Sequence, residues 1–198
     1  MDDPAWLAEY VRKSERTVAA FAADIAAQAT LLDMATAIVA ALRAGGKLML
    51  AGNGGSAGDA QHIAAEFVVR LMYDRAPLAA IALTTDSSVM TAAGNDYGFE
   101  RAFERQVQAL GRPGDILLAI STSGHSPNIL RALEAGRAGG LVTLGFGAGS
   151  GGAMARLCDH LFLAPTPETA LAQQIHIIAA HIVCGLVERA MFPREAAP

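Results

Sequence analysis

Hydrophobic and polar positions change rhythm near residue 46. Before it, Trp6, Leu7, Tyr10, Val11, Val18, Phe21 and Ile25 recur near i, i+3, i+4, and a second run from Leu31 to Leu42 stops at Gly45-Gly46. Helices are therefore predicted within the first 45 residues. After it come short, nearly continuous apolar runs at 47–51, 78–83, 115–121, 141–146 and 160–165. Helical stretches at about 57–72, 87–93, 99–110, 126–138 and 150–157 alternate with these runs, and a last helix spans about Glu168 to Met191. A strand apolar on both sides is buried on both faces, and helices between such strands supply the cover. The pattern predicts an α/β fold: a doubly wound five-stranded parallel sheet flanked by helices, flavodoxin-like in layering, with an N-terminal helical extension. No repeat or linker interrupts it, so residues 1–198 read as a single domain.

Composition narrows the setting. The chain is 53% hydrophobic and 17% charged, which supplies one full core and excludes disorder. Its most apolar stretch, Ile175 to Val187, contains two histidines and falls short of the roughly 20 residues that a bilayer span requires. The acidic N-terminus lacks the basic flank of a signal peptide. A membrane partner is thus not expected, and a net charge of −4 argues against nucleic acid. Cys158 and Cys184 make neither a disulfide framework nor a zinc knuckle, which points to a reducing cytoplasm. Among the 15 basic residues only Lys13 and Lys47 are lysines, and neither sits in a motif that would suit Schiff-base chemistry.

Ligands of such folds sit beyond the carboxyl ends of the strands, so the loops after the first and third runs carry most information. The first, Gly52-Asn53-Gly54-Gly55-Ser56-Ala57, has the form G-x-G-x-x-A. A dinucleotide reading fails on spacing, because the candidate acidic partner, Asp86, lies more than 30 residues on rather than about 20. No lysine follows the glycines, which excludes a Walker A loop. The second loop offers Ser121, Thr122, Ser123 and Ser126 just before a helix opening at Pro127. One hydroxyl suffices to cap a helix. Four of them beside free helix N–H groups form an anion site that needs no lysine, so a phosphate or phosphosugar ligand is predicted here. Asp115 lies at the opposite end of that strand.

Chemistry-bearing residues gather on two helices. After the first loop, His62, Glu66 and Arg70 follow at spacings of four, with Asp59 one turn earlier. Such a ladder either faces solvent or shares a metal or substrate, while Ile63, Ala64, Phe67 and Val68 form an opposite apolar face. In the C-terminal helix, Gln173, Gln174, His176 and His181 interrupt a strongly apolar run, where unpaired polar groups are costly. Gln173 and His181 lie roughly 12 Å apart along a helix, so both reach one ligand only by leaning together or from different subunits. A last polar island, Gly94-Asn95-Asp96-Tyr97-Gly98-Phe99, reads as a loop between helices.

Four segments together resemble the phosphoheptose (sedoheptulose 7-phosphate) isomerases of the sugar-isomerase (SIS) fold: 52–66 (GNGGSAGDAQHIAAE), 92–103 (AAGNDYGFERAF), 114–128 (GDILLAISTSGHSPN) and 173–181 (QQIHIIAAH). They occur in that family's order and cover most of the chain. The resemblance implies a cytoplasmic isomerase that converts sedoheptulose 7-phosphate to D-glycero-D-manno-heptose 7-phosphate through an enediol, in nucleotide-activated heptose biosynthesis. By the same resemblance Ser121, Thr122, Ser123 and Ser126 hold phosphate. Asn53, Gly54, Ser56, Arg70, Asn95, Asp96 and Gln173 meet the rest of the substrate, and Glu66 and His181 form the acid–base pair. His62, Glu66, Gln173 and His181 would hold one Zn2+ per subunit. The implied assembly is a homotetramer with sites at subunit interfaces and the helices of residues 1–45 in its core. One departure is Ala170, where members of that family commonly carry an acidic residue. The rival reading is the DnaA initiator-associating protein, a SIS-fold binding protein that 83–92 (LTTDSSVMTA) also resembles. Such a protein has no need of His62, Glu66 and His181 together. A sugar-sensing transcriptional regulator is disfavoured because no DNA-binding module is appended.

Overall fold

All five apolar runs become strands of one parallel sheet in a computed structural model that describes residues 3–194. The ends of the predicted 1–198 domain, residues 1–2 and 195–198, lie outside the described residues. The strands are β1 (Leu48–Gly52), β2 (Ala80–Ala82), β3 (Ile116–Ile120), β4 (Val142–Ala148) and β5 (His160–Ala164), ordered β2-β1-β3-β4-β5. This is the flavodoxin-like order, in which the direction of strand addition reverses between β1 and β3. The loops leaving those two strands therefore diverge to opposite faces and open a crevice.

Period two explains the continuous apolar runs. Leu48, Leu50, Ile116, Leu118 and Ile120 belong to a core with α2 (Ile25–Arg43), α3 (Gly55–Val68) and α7 (Thr169–Met191). Their neighbours Met49, Ala51, Leu117 and Ala119 enter a second core with α5 (Ala102–Leu110) and α6 (Pro127–Ala138). Aspartates mark the starts of three helices. Asp3, Asp24 and Asp86 accept from the backbone N–H of Trp6, Ala27 and Val89 and so cap α1 (Pro4–Ala23), α2 and α4 (Ser87–Tyr97).

Three expectations need correction. α4 continues through Gly94, Asn95 and Asp96 to Tyr97, so the polar island is helical and turns only at Gly98, where φ is +86°. Turn-forming residues are overridden there by a capped helix already under way. The stretch 150–157 forms 3-10 helix over Gly152–Arg156. Two helices, Ile25–Arg43 and Thr169–Met191, are also long and apolar enough by length and mean hydropathy (1.7 each) to cross a membrane. The shorter run seen in the sequence missed them because uncharged Thr and Gln residues continue each helix, joined in α7 by His. Over half of the α7 window is buried inside the fold.

Asp115 lies at the amino end of β3, away from the crevice. Burial pushes its carboxyl up, but the Lys47 ammonium and the backbone N–H groups of Lys47 and Arg112 outweigh burial and hold it below the usual carboxylate range.

Candidate functional site

The β1–α3 and β3–α6 loops face each other across a cleft of about 300 Å³. Its lining includes Asn53, Gly54, Ser56, Ser121, Thr122, Ser123, Ser126 and Gln173, all singled out from sequence, together with Gly55, Ile120 and Thr169. Gly54 begins α3 with φ +54° and ψ −121°, a conformation a side chain would strain. Gly55 lets α7 approach: a Cβ there would stand 2.6 Å from Gln173 Nε2.

The serine loop is arranged around its hydroxyls. Ser126 occupies the N-cap of α6, yet its side chain makes no capping bond. Its Oγ lies instead 3.1 Å from Ser121 Oγ, and Ser121 Oγ is 3.5 Å from Ser123 Oγ. Pro127 has no N–H and the Ile129 N–H donates to the Ser126 carbonyl, so the Asn128 N–H is the first-turn donor left for a ligand, in a cleft whose lining carries no titratable side chain. Gly124 shapes the loop from behind, with φ +65° and the Gly151 carbonyl so close that a Cβ would lie 2.0 Å from its oxygen. Gly124→Ala is expected to cost about 2–4 kcal/mol through left-handed strain and overpacking. A Tm fall of roughly 5–15 °C would register it; an unchanged Tm would show that the loop yields freely.

A second cluster adjoins α3. His62 Nε2 lies 2.9 Å from His181 Nε2 on α7 and 3.5 Å from Glu66 Oε1, and one donor atom from each of the three falls within 4.8 Å of the others. Two ring nitrogens so close cannot both carry protons. Two imidazoles and a carboxylate are the donor set that suits a borderline cation, so the residues present fit a zinc ion. Gln173, the fourth expected ligand, turns its amide toward Ser56 Oγ at 3.4 Å and lines the hydroxyl-rich cleft. Asp59 has a buried carboxylate oxygen without a partner, and burial raises its pKa against the opposing pull of His62. Burial, reinforced by the Glu66 and Glu188 carboxylates, pushes the nearby Cys184 thiol up to about 12, which removes it as a nucleophile.

Several predicted residues fall elsewhere. α3 ends at Val68, so Arg70 leaves the helical ladder and stands exposed beyond it. Val68 is itself exposed, so only Ile63, Ala64 and Phe67 of the expected apolar face are buried. Asn95 Nδ2 donates to Asp96 Oδ1 at 2.7 Å on an exposed face, and neither residue lines the cleft within this chain. His176 is a core residue whose Nε2–H donates to the Gly147 carbonyl at 2.8 Å. Burial holds its pKa below the ordinary imidazole value, against that hydrogen bond.

Sequence reasoning passed over the support beneath Glu66. Arg75 donates through its guanidinium to the carbonyls of Glu66 and Phe67, each at 2.7 Å, and so closes the C-terminus of α3. It also pairs with Glu188 of α7 at 3.2 Å, with both side chains at most 3% exposed. Asn128, which bonds Asn53, escaped notice as well; its only sequence signal is an amide among apolar positions at the start of α6.

The SIS domain family matches residues 9–148. The phosphoheptose isomerase of Burkholderia pseudomallei is 50% identical over 190 residues, 96% of each chain. The solved phosphoheptose isomerase of Neisseria gonorrhoeae superposes with a TM-score of 0.87 at 38% identity, covering 93% of this chain and 98% of that one. That of Francisella tularensis gives 0.91 at 34% identity, covering 96% and 100%.

Proposed function

The chain belongs to the SIS domain family and, within it, to the phosphoheptose isomerases, and from that premise we propose that its two polar clusters divide one reaction between them. The reaction converts sedoheptulose 7-phosphate to D-glycero-D-manno-heptose 7-phosphate. One observation carries the division: α7 places Gln173 in the hydroxyl cleft and His181 beside Glu66.

Ser121, Thr122, Ser123 and Ser126, with the Asn128 backbone N–H at the start of α6, hold the phosphate. Asn53, Gly54 and Ser56 meet the sugar hydroxyls. Glu66 takes the proton from C1 and returns it at C2 of the cis-enediol, while His181 moves the proton from O1 to O2. His62, Glu66 and His181, joined by Gln173 if its amide turns from Ser56, would hold one Zn2+ per subunit. When bound, the ion supplies Lewis-acid polarisation of the carbonyl.

Arg70, Asn95 and Asp96 do not line the hydroxyl cleft of a single chain, which suits a site completed across subunits of a homotetramer. Exposed Trp6 (63%), Leu7, Val11 and Ile25 (72%) on α1 and α2 supply apolar surface for that contact. The assigned setting is the cytoplasm, where the product feeds nucleotide-activated heptoses for glycoconjugates such as lipopolysaccharide.

Incubation with sedoheptulose 7-phosphate, followed by NMR, should show the anomeric proton of the aldose product. Chelator treatment should suppress the signal, and added Zn2+ should restore it. Equilibrium dialysis should find about one ion per chain, and His62→Ala should lose it. Zinc-loaded protein that leaves the ketose untouched, particularly if it binds a replication initiator, would overturn the reading.

A further inference from the structure

Two asparagines from different loops close a ring of hydrogen bonds beside the cleft. Asn53 follows β1 and lines the cleft, whereas Asn128, the second residue of α6, is buried. Asn53 Nδ2 donates to Asn128 Oδ1 at 2.9 Å, and Asn128 Nδ2 donates back to Asn53 Oδ1 at 2.8 Å. A side-chain amide has two N–H donors and an oxygen with two lone pairs. The ring uses one of each on Asn53 and leaves one of each for a ligand. It also couples the two amides: turning one over alone would set N–H against N–H and oxygen against oxygen.

We infer that Asn128 is a positioning residue for sugar recognition: through this ring it holds the Asn53 amide in the place and plane from which Asn53 offers a donor and an acceptor to the hydroxyls of a phosphosugar. The inference rests on the phosphosugar reading of the cleft. Among the described residues the Asn128 side chain hydrogen-bonds to Asn53 alone. The phosphate end of the ligand depends on a different set of groups, the serine-loop hydroxyls and the Asn128 backbone N–H, which a change of side chain leaves in place. Loss of the ring should therefore separate sugar affinity from phosphate affinity, which a general loosening of the fold would not do.

Asn128→Ser removes both bonds without adding charge, at a helix position that tolerates serine. Calorimetric titration of the full chain should show sedoheptulose 7-phosphate bound about 10-fold more weakly, with inorganic phosphate within about 2-fold of the parent. On an Asn53→Ala background the same change should add no further loss, because Asn128 acts through Asn53. If Asn128→Ser fails to fold, Asn128→Thr retains more volume and carries the same comparison. Equal weakening of both ligands, weakening of neither, or a full additional loss on the Asn53→Ala background would overturn the inference. A parent protein that binds phosphate but not sedoheptulose 7-phosphate would overturn the phosphosugar reading and this inference together; a silent Asn128→Ser beside a parent that binds both overturns the inference alone.

Discussion

Glu66→Gln is expected to lower conversion of sedoheptulose 7-phosphate by about 10²–10⁴-fold, the usual contribution of a positioned acid–base group. The amide keeps the shape of the carboxylate but cannot accept the C1 proton. Glu66 projects from α3 toward His62 and His181, whereas the phosphate groups of the cleft belong to the β3–α6 loop. Substrate binding, read by calorimetry on the inactive variant, should stay within about 3-fold of the parent, because the lost interaction operates in the transition state. Zinc content measured on the same sample separates loss of the base from loss of a ligand. Near-normal turnover would remove Glu66 from the reaction.

Glu188→Ala should produce the largest loss of stability. The Glu188 carboxylate accepts from Leu71 N at 3.1 Å, Met72 N at 2.9 Å and Arg75 Nε at 3.2 Å, with the Glu188 and Arg75 side chains both buried. Its removal leaves a guanidinium charge buried without a counterion and two amides without acceptors. Breaking a buried pair from one side costs about 3–5 kcal/mol, equivalent to a Tm fall of roughly 6–20 °C in a chain of this size. Glu188→Gln keeps an acceptor for part of the set and should fall between parent and alanine variant. Because Arg75 also holds the Glu66 carbonyl, turnover should suffer in both variants below their melting temperatures. A Glu188→Ala protein that melts with the parent would show the pair to be energetically idle.

These two residues mark the boundary of what the sequence discloses. Glu66 is legible because an i, i+4 partner sits beside it on the same helix, and spacing alone puts the two on one face. Its meeting with His181, 119 residues from His62 along the chain, follows from α7 packing on α3, which periodicity does not specify. Arg75 and Glu188 look like ordinary surface charges, and nothing local shows that both are buried. The sheet was legible because its central strands β1, β3 and β4 bury both faces, and the crevice follows once β1 and β3 are neighbours. Asn95 and Asp96 show the opposite failure, since residues typical of turns are held in a helix that Asp86 had already started. The Asn53–Asn128 ring escapes for the same reason as the ion pair: it depends on how two loops approach.

α7 carries a group of each polar cluster on one continuous rod, Gln173 at the cleft and His181 beside Glu66, and between them His176 is pinned to the Gly147 carbonyl. A helix is stiff along its axis, so the two outer side chains cannot be shifted independently. Adaptation to a longer or shorter sugar is therefore poorly served by changes that slide α7, because each gain in reach at one end would misplace the proton-transfer group at the other. Variation in substrate length is better absorbed by the loops opposite this rod, which can lengthen or shorten without altering the spacing it sets.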